Sequence, residues 1–379
     1  MHRFRRRPGL PMYAVAVLLL VGCATRGAEP PADAISASDA ETIDGLFADY
    51  TGPDVPGAAV AVMVNGRVAF SRGYGMANIG TNTAITEHTT FRLASLTKAF
   101  TAMAIMVLID EGRLRLEDHV RGILPDFPSY GRDITVRHLL THTSGLPPYQ
   151  KLVPDLVPRQ ITDRDVLTLL RRAGATQFAP GSEFRYGDSG YAILALVVEA
   201  VSKKPFARFL HDRIFARAGM TSTTAYERGI SVVPHRALGY SVTIARVQLD
   251  DQGATSAVLG DGGIYSSVRD LAAWDRALDD HTLVSPRLQQ IAWTPARLSD
   301  GTRTRYGFGW FVDDDVSGIQ LSHHGETSGF NHFILKYPKR RLTVVILTNR
   351  RGGAPRTLAG AIAALRSLRP GATSSAWSR

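Results

Sequence analysis

The chain has 379 residues, 44% hydrophobic and 21% charged, with one cysteine and a formal net charge of +10. That balance is ordinary for globular protein and long enough for one large domain or two. A lone cysteine excludes an internal disulfide. Four of the positive charges fall within the first seven residues and no long block of Lys or Arg follows, which argues against a nucleic-acid partner.

The first segment reads as an export address. His2, Arg3, Arg5, Arg6 and Arg7 form a basic region, and Met12 to Val21 is an apolar run too short to span a bilayer. The run ends in Leu20-Val21-Gly22-Cys23, which resembles the lipobox of bacterial lipoproteins. The resemblance implies a signal peptide over 1–22, a lipid on Cys23 and, since Ala24 is not Asp, the periplasmic face of the outer membrane. The alternative is an ordinary secretory signal on a soluble periplasmic protein, with an incidental Cys. Cleavage before Cys23 leaves 357 of the 379 residues and lowers the charge from +10 to +6 by four arginines. The Ala-, Pro- and Ser-rich stretch that follows suggests a flexible tether over 23–44, leading to a folded domain over 45–370 and a disordered tail over 371–379.

Within the body, Ala58–Val64, the turn Asn65-Gly66 and Arg67–Phe70 predict a β-hairpin, so the domain opens with antiparallel structure. From Ser95 the period changes. Leu96, Phe100, Met103 and Val107 recur at helical spacing and Gly112 stops the run, placing Ser95 at or near a helix N-terminus. Helices and long loops are expected over about 114–259, with Gly190–Lys203 one of the clearer helices. Strands return at 309–312, 319–322, 330–337 and 342–347, and a last helix is expected over 357–368. An antiparallel sheet assembled from both chain ends, with a mostly helical region inserted, is an α+β fold whose natural site is the cleft between sheet and helices.

Ser95-Leu96-Thr97-Lys98 is the only Ser-x-x-Lys in the sequence. Residues three apart share a helix face, so the Lys98 ammonium can reach the Ser95 hydroxyl, and an amine beside an alcohol can accept or relay its proton. A helix start also offers a backbone N–H and a favourable dipole to an oxyanion. Two further elements follow in order, Tyr186-Gly187-Asp188 after Pro180-Gly181, and His323-His324-Gly325 in a strand context. With Phe91-Arg92-Leu93-Ala94, Leu139 to Leu146 and Gly262 to Ser267, they resemble the class C β-lactamase branch of the serine β-lactamase and penicillin-binding-protein superfamily, over about residues 45–350.

The resemblance implies a serine hydrolase acting through an acyl-enzyme on short esters, D-amino-acid peptides or β-lactams, with no cofactor and no metal. It implies Ser95 as nucleophile and Tyr186 as general base, its phenol made more acidic by Lys98. The oxyanion is expected between the backbone N–H groups of Ser95 and Glu326, with Gly325 where a strand approaches substrate. Two departures bear on the acyl group. His323 stands where many relatives carry a Lys that binds the substrate carboxylate, which favours an esterase or D-peptidase over an efficient β-lactamase. Asp188 stands in place of Asn and is placed to pair with Lys98; Asp188→Asn is expected to alter substrate preference more than folding. The rival reading is a catalytically silent lipoprotein that holds penicillin or peptidoglycan fragments.

Several conspicuous residues are expected to be structural. His138 and His142 lack an acidic or Cys partner for a metal, and Trp274 and Trp310 suit core or cleft wall. Strand alternation turns His323 and Gly325 to one face and His324 to the other. Gly187-Asp188-Ser189-Gly190 only superficially resembles a chymotrypsin-like nucleophile loop.

Overall fold

A computed structural model of the chain describes residues 1–2, 35–244, 246–315 and 318–368. The expected signal peptide beyond His2, Cys23 and the expected tail lie outside those residues. Among the described residues no helix is long and apolar enough to cross a membrane, and no group of three or more His, Cys, Asp or Glu is arranged to hold a metal ion.

The first element among the described residues is a helix, α1 (Ala37–Leu46), which begins inside the stretch expected as tether and runs two residues past its end. The Ser36 hydroxyl accepts from the Asp39 N–H at 3.1 Å, capping the helix, and Ile43 and Phe47, four apart, are fully buried. The hairpin follows as β1 (Ala58–Val64) and β2 (Arg67–Tyr74), with a register shift between Val62 and Met63. Next comes α2 (Thr97–Asp110), preceded by a 3₁₀ turn over Ala94–Leu96 that carries Ser95. The sequence suggests a single apolar stripe on α2, but every residue from Thr97 to Leu108 is buried, because the helix runs between the sheet and the helical region. That region includes α3 (Ser189–Ser202) and does not end near 259: α4 (Val268–Asp279) and a further helix, Pro286–Ala292, precede the return to the sheet.

The returning strands are β3 (Phe311–Asp315), β4 (Gly318–Thr327), β5 (Phe330–Tyr337) and β6 (Leu342–Thr348), followed by α5 (Pro355–Ala363). The helix begins two residues earlier than expected because proline is accommodated at a first helical position. The strands form one antiparallel sheet in the order β3-β4-β5-β6-β1-β2. Its seam is β6 against β1, from Ala58 opposite Thr348 to Val64 opposite Leu342, so the two ends of the domain close the sheet together.

Alternation along these strands sorts the core into two layers. Ala58, Val60, Val62, Val344 and Ile346 pack with Ile43, Phe47, Ala359 and Ile362 under α1 and α5. Ala59, Ala61, Met63, Val345 and Leu347 face the helical side, where Phe100 of α2 packs on Trp274 of α4 at 4.4 Å between ring centroids. The buried Lys336 ammonium of β5 ties α4 to the sheet through Asp275 at 2.8 Å and Asp279 at 2.5 Å. Trp274 and Trp310 are both core residues.

Candidate active site

Three segments deliver the site: the turn before α2, the loop before α3, and the second half of β4. The turn is fixed first. Ala94 adopts a left-handed φ of 49°, uncommon for a residue with a side chain, immediately before Ser95. The Leu93 N–H bonds the Ile264 carbonyl at 2.8 Å. His332 of β5 donates through Nε2 to the Arg92 carbonyl at 2.7 Å and accepts through Nδ1 from the Thr348 N–H at 3.1 Å, joining the sheet to the strand that leads to Ser95. Burial holds its pKa down at about 4, so it stays in that neutral form.

Lys98 is completely buried, and its ammonium is fully committed: to Ser95 Oγ at 2.9 Å, to Asp188 Oδ1 at 2.6 Å and to the Asp261 carbonyl at 3.1 Å. Burial pulls its pKa down, but the Asp188 carboxylate, through its charge and its hydrogen bond, leads the interactions that outweigh burial and hold the ammonium above the usual lysine range. Lys98 therefore donates to the Ser95 oxygen and leaves the Ser95 proton free to point elsewhere. Asp188, pushed up by burial, is held below the usual carboxylate range by Lys98, and its Oδ2 accepts from Gln150 Nε2 at 2.5 Å. The expected Lys98–Asp188 pair is present.

Tyr186 is half-buried beside them, its hydroxyl oxygen shut off from solvent and the Lys98 Nζ 5.3 Å from its ring centroid. Its hydroxyl makes no hydrogen bond of ordinary geometry. The sequence reading expects Lys98 to make this phenol more acidic. Lys98 does pull in that direction, but burial outweighs it and the pKa is raised, so the resting phenol is neutral.

The strand that carries the third element is longer than expected: β4 continues through Thr327, paired with β5 from Leu321 opposite Lys336 to Thr327 opposite Phe330. Gly325 lies in mid-strand, where an added Cβ would stand 2.4 Å from the Leu93 carbonyl oxygen and 2.6 Å from Leu96 Cδ1. The strand backbone thus rests directly on the turn that carries Ser95. Glu326 and Thr327 emerge into a cleft of about 200 Å³ whose walls also include Ser95, Gln150, Asp188 and Asp261.

His323 is not part of that wall. It is fully buried, its Nε2 accepts from the Tyr306 hydroxyl at 3.0 Å, and its Nδ1 donates to the His324 carbonyl at 2.7 Å. Burial holds its pKa well below the ordinary value, with the Lys98 charge adding to the effect. The expected role in substrate binding is corrected accordingly: alternation turns His323 inward with Gly325, but both ring nitrogens are spent inside the protein.

Sequence reasoning missed Gln150, Asp261, Tyr149 and His332, which stand outside any recognised spacing. Asp261 is buried, accepts from the Tyr149 hydroxyl at 2.7 Å, and has its pKa pushed up by burial to about 8. Its segment, the short helix Leu259–Gly262, is seated by Asp163, which accepts the Leu259 and Gly260 N–H groups at 2.9 Å each. Ser189 is no competing nucleophile: its hydroxyl is buried, donates to the Pro147 carbonyl at 2.6 Å and accepts from the Tyr149 N–H at 2.9 Å.

Residues 43–368 match the beta-lactamase family. Penicillin-binding protein 4* of Bacillus subtilis is 33% identical over 300 residues, 75% of this chain but just under two thirds, 66%, of that protein. Among solved structures, the penicillin-binding protein of Bacillus halodurans superposes with a TM-score of 0.73 at 27% identity, covering 85% of this chain and 97% of that one. The octameric penicillin-binding protein homologue of Pyrococcus abyssi gives a TM-score of 0.75 at 25% identity, covering 86% and 77%. With a match across nearly the whole folded body and the same α+β architecture, the chain belongs to the beta-lactamase family, within the serine β-lactamase and penicillin-binding-protein superfamily.

Proposed function

We propose that this protein is a serine hydrolase that cleaves ester or amide bonds through an acyl-Ser95 intermediate. The observation that carries the reading is the Lys98 ammonium, charged and buried, donating to Ser95 Oγ at 2.9 Å at the edge of an open cleft. Ser95 Oγ attacks the substrate carbonyl. Its proton passes to the Tyr186 oxygen while the Tyr186 phenol hands its own proton to the departing alkoxide or amine, so the tyrosine is neutral before and after. Water repeats the sequence in reverse and releases the acid. A neutral shuttle suits a phenol whose pKa burial has raised.

The preferred acyl donor is a short ester or a peptide bond without a recognised carboxylate. A β-lactam or D-alanyl-D-alanine end presents a carboxylate, and His323, neutral and occupied on both nitrogens, offers it no fixed cation. A hydrogen bond to a charged group is worth about 1.5–3 kcal/mol, or roughly 10- to 100-fold in rate. Turnover of p-nitrophenyl butyrate is therefore expected to exceed that of nitrocefin and of D-Ala-D-Ala peptides by at least about tenfold in kcat/KM. Nitrocefin turned over faster than the ester would contradict the substrate preference, and no turnover of any of the three would favour a binding protein.

A further inference from the structure

Tyr186 is required to exchange protons with Ser95, yet its own hydroxyl has no ordinary hydrogen bond to hold it. Beyond loose interactions of that hydroxyl with Ser95 and Lys98, its position is set by the backbone on either side and by the packing of its ring. His142 supplies all three restraints. The His142 carbonyl accepts from the Arg185 N–H at 3.0 Å, and His142 Nδ1 accepts from the Gly187 N–H at 3.3 Å, so one residue grips the chain immediately before and immediately after Tyr186. Its ring lies 4.4 Å from the Tyr186 ring centroid and 4.5 Å from that of Tyr306, closing Tyr186 in from the side.

Two features show that this grip is more than core filling. His142 has a left-handed φ of 57°, the conformation that lets its carbonyl and its ring reach the same strand of loop. Its Nε2 is buried with no hydrogen-bond partner. Accepting through Nδ1 requires the proton on Nε2, so that orphaned donor is the cost of keeping Nδ1 as an acceptor. An apolar ring would fill the same space without it.

We propose that His142 is the positioning residue for Tyr186, clamping the Arg185–Gly187 backbone so that the phenol stays within reach of Ser95. The proposal rests on the reading of Tyr186 as the proton shuttle. It sets an expectation for three variants of the full chain. Asparagine places an amide oxygen near the position of Nδ1 and tolerates a left-handed backbone. Phenylalanine keeps the ring but has no acceptor, and glycine relieves the backbone while removing both ring and acceptor.

The readouts are kcat and KM for p-nitrophenyl butyrate, with melting temperature measured in parallel. His142→Phe and His142→Gly are expected to lower kcat about 100-fold, the effect of displacing a reacting group by about 1 Å, while KM changes less than about threefold. His142→Asn is expected to keep at least about a tenth of the parent kcat. Equal losses in the Asn, Phe and Gly variants, or losses that only follow melting temperature, overturn the clamp. So does parental kcat in the Phe or Gly variant. Ser95→Ala is run beside them: if it too turns over substrate, the shuttle reading itself has failed, whereas a dead Ser95→Ala with an active His142→Gly overturns the clamp alone.

Discussion

Lys98→Met is expected to slow acylation of Ser95 by about 10²–10⁴-fold, the range that a positioned proton-handling group is worth. Methionine matches the apolar stem of lysine and lacks only the terminal ammonium, so the loss reads that group. Without it, Ser95 Oγ loses its donor, the Tyr186 phenol loses the cation that lowers its pKa and eases release of its proton, and Asp188 and the Asp261 carbonyl lose theirs. Breaking a buried ion pair costs about 3–5 kcal/mol, but Asp188 keeps Gln150 and a side open to the cleft, so a stability loss below about 3 kcal/mol is expected in thermal melts. Parental acylation rates in Lys98→Met would contradict the mechanism.

The complementary change, Asp188→Asn, separates charge from presence. In the parent, Asp188 heads the charges that hold the Lys98 pKa above its usual range against burial, so Lys98 stays protonated as pH rises through the working range. Removing that charge takes away the largest interaction opposing burial, and the Lys98 pKa falls. Activity of Asp188→Asn is expected to decline with rising pH in a new limb below about pH 10, the ordinary lysine value. No such limb is expected in the parent, and two superimposable pH profiles would contradict that expectation.

Gly325→Ala is the second large effect. The added methyl would lie 2.4 Å from the Leu93 carbonyl oxygen, a backbone atom that cannot swing aside, so β4 and the Ser95 turn must separate by roughly 1 Å to restore ordinary contact. Displacement of that size between the nucleophile and the strand that flanks the cleft is expected to reduce kcat about 100-fold, with a stability loss of about 1–3 kcal/mol from overpacking. Gly360→Ala is the control: it lies in α5 with no neighbouring atom within 4 Å, so kcat is expected to be unchanged and the melting temperature to rise slightly. Equal kcat values for the Gly325→Ala and parent proteins would show that the close approach of strand and turn is not needed.

What was legible in the sequence had local causes. Asn65-Gly66 specifies its hairpin, the spacing of Ser95 and Lys98 places both on one face of a turn, and hydrophobic alternation separates the two sides of the sheet. The helix α1 was legible too, in Ser36 followed by Asp39 and in Ile43 and Phe47 four apart, but composition drew that segment as tether. The depth of a side chain was not legible. His323 and Gly325 do share a face, yet the partner that seals His323 is Tyr306, seventeen residues away. The acidity of Tyr186 follows from how other segments shut off its hydroxyl, and Gln150 and Asp261 join the site from short helical turns with no spacing signal.

Trypsin isolates Ser95, the proposed nucleophile: cleavage after Arg92 and Lys98 releases Leu93–Lys98, whose only hydroxyls are Ser95 and Thr97. Intact protein treated with an activated fluorophosphonate is expected to gain one adduct mass, carried by that peptide and located on Ser95 by fragmentation, with none on Ser95→Ala. An adduct elsewhere, equal labelling of Ser95→Ala, or an unlabelled parent that does not turn over p-nitrophenyl butyrate would contradict that role for Ser95.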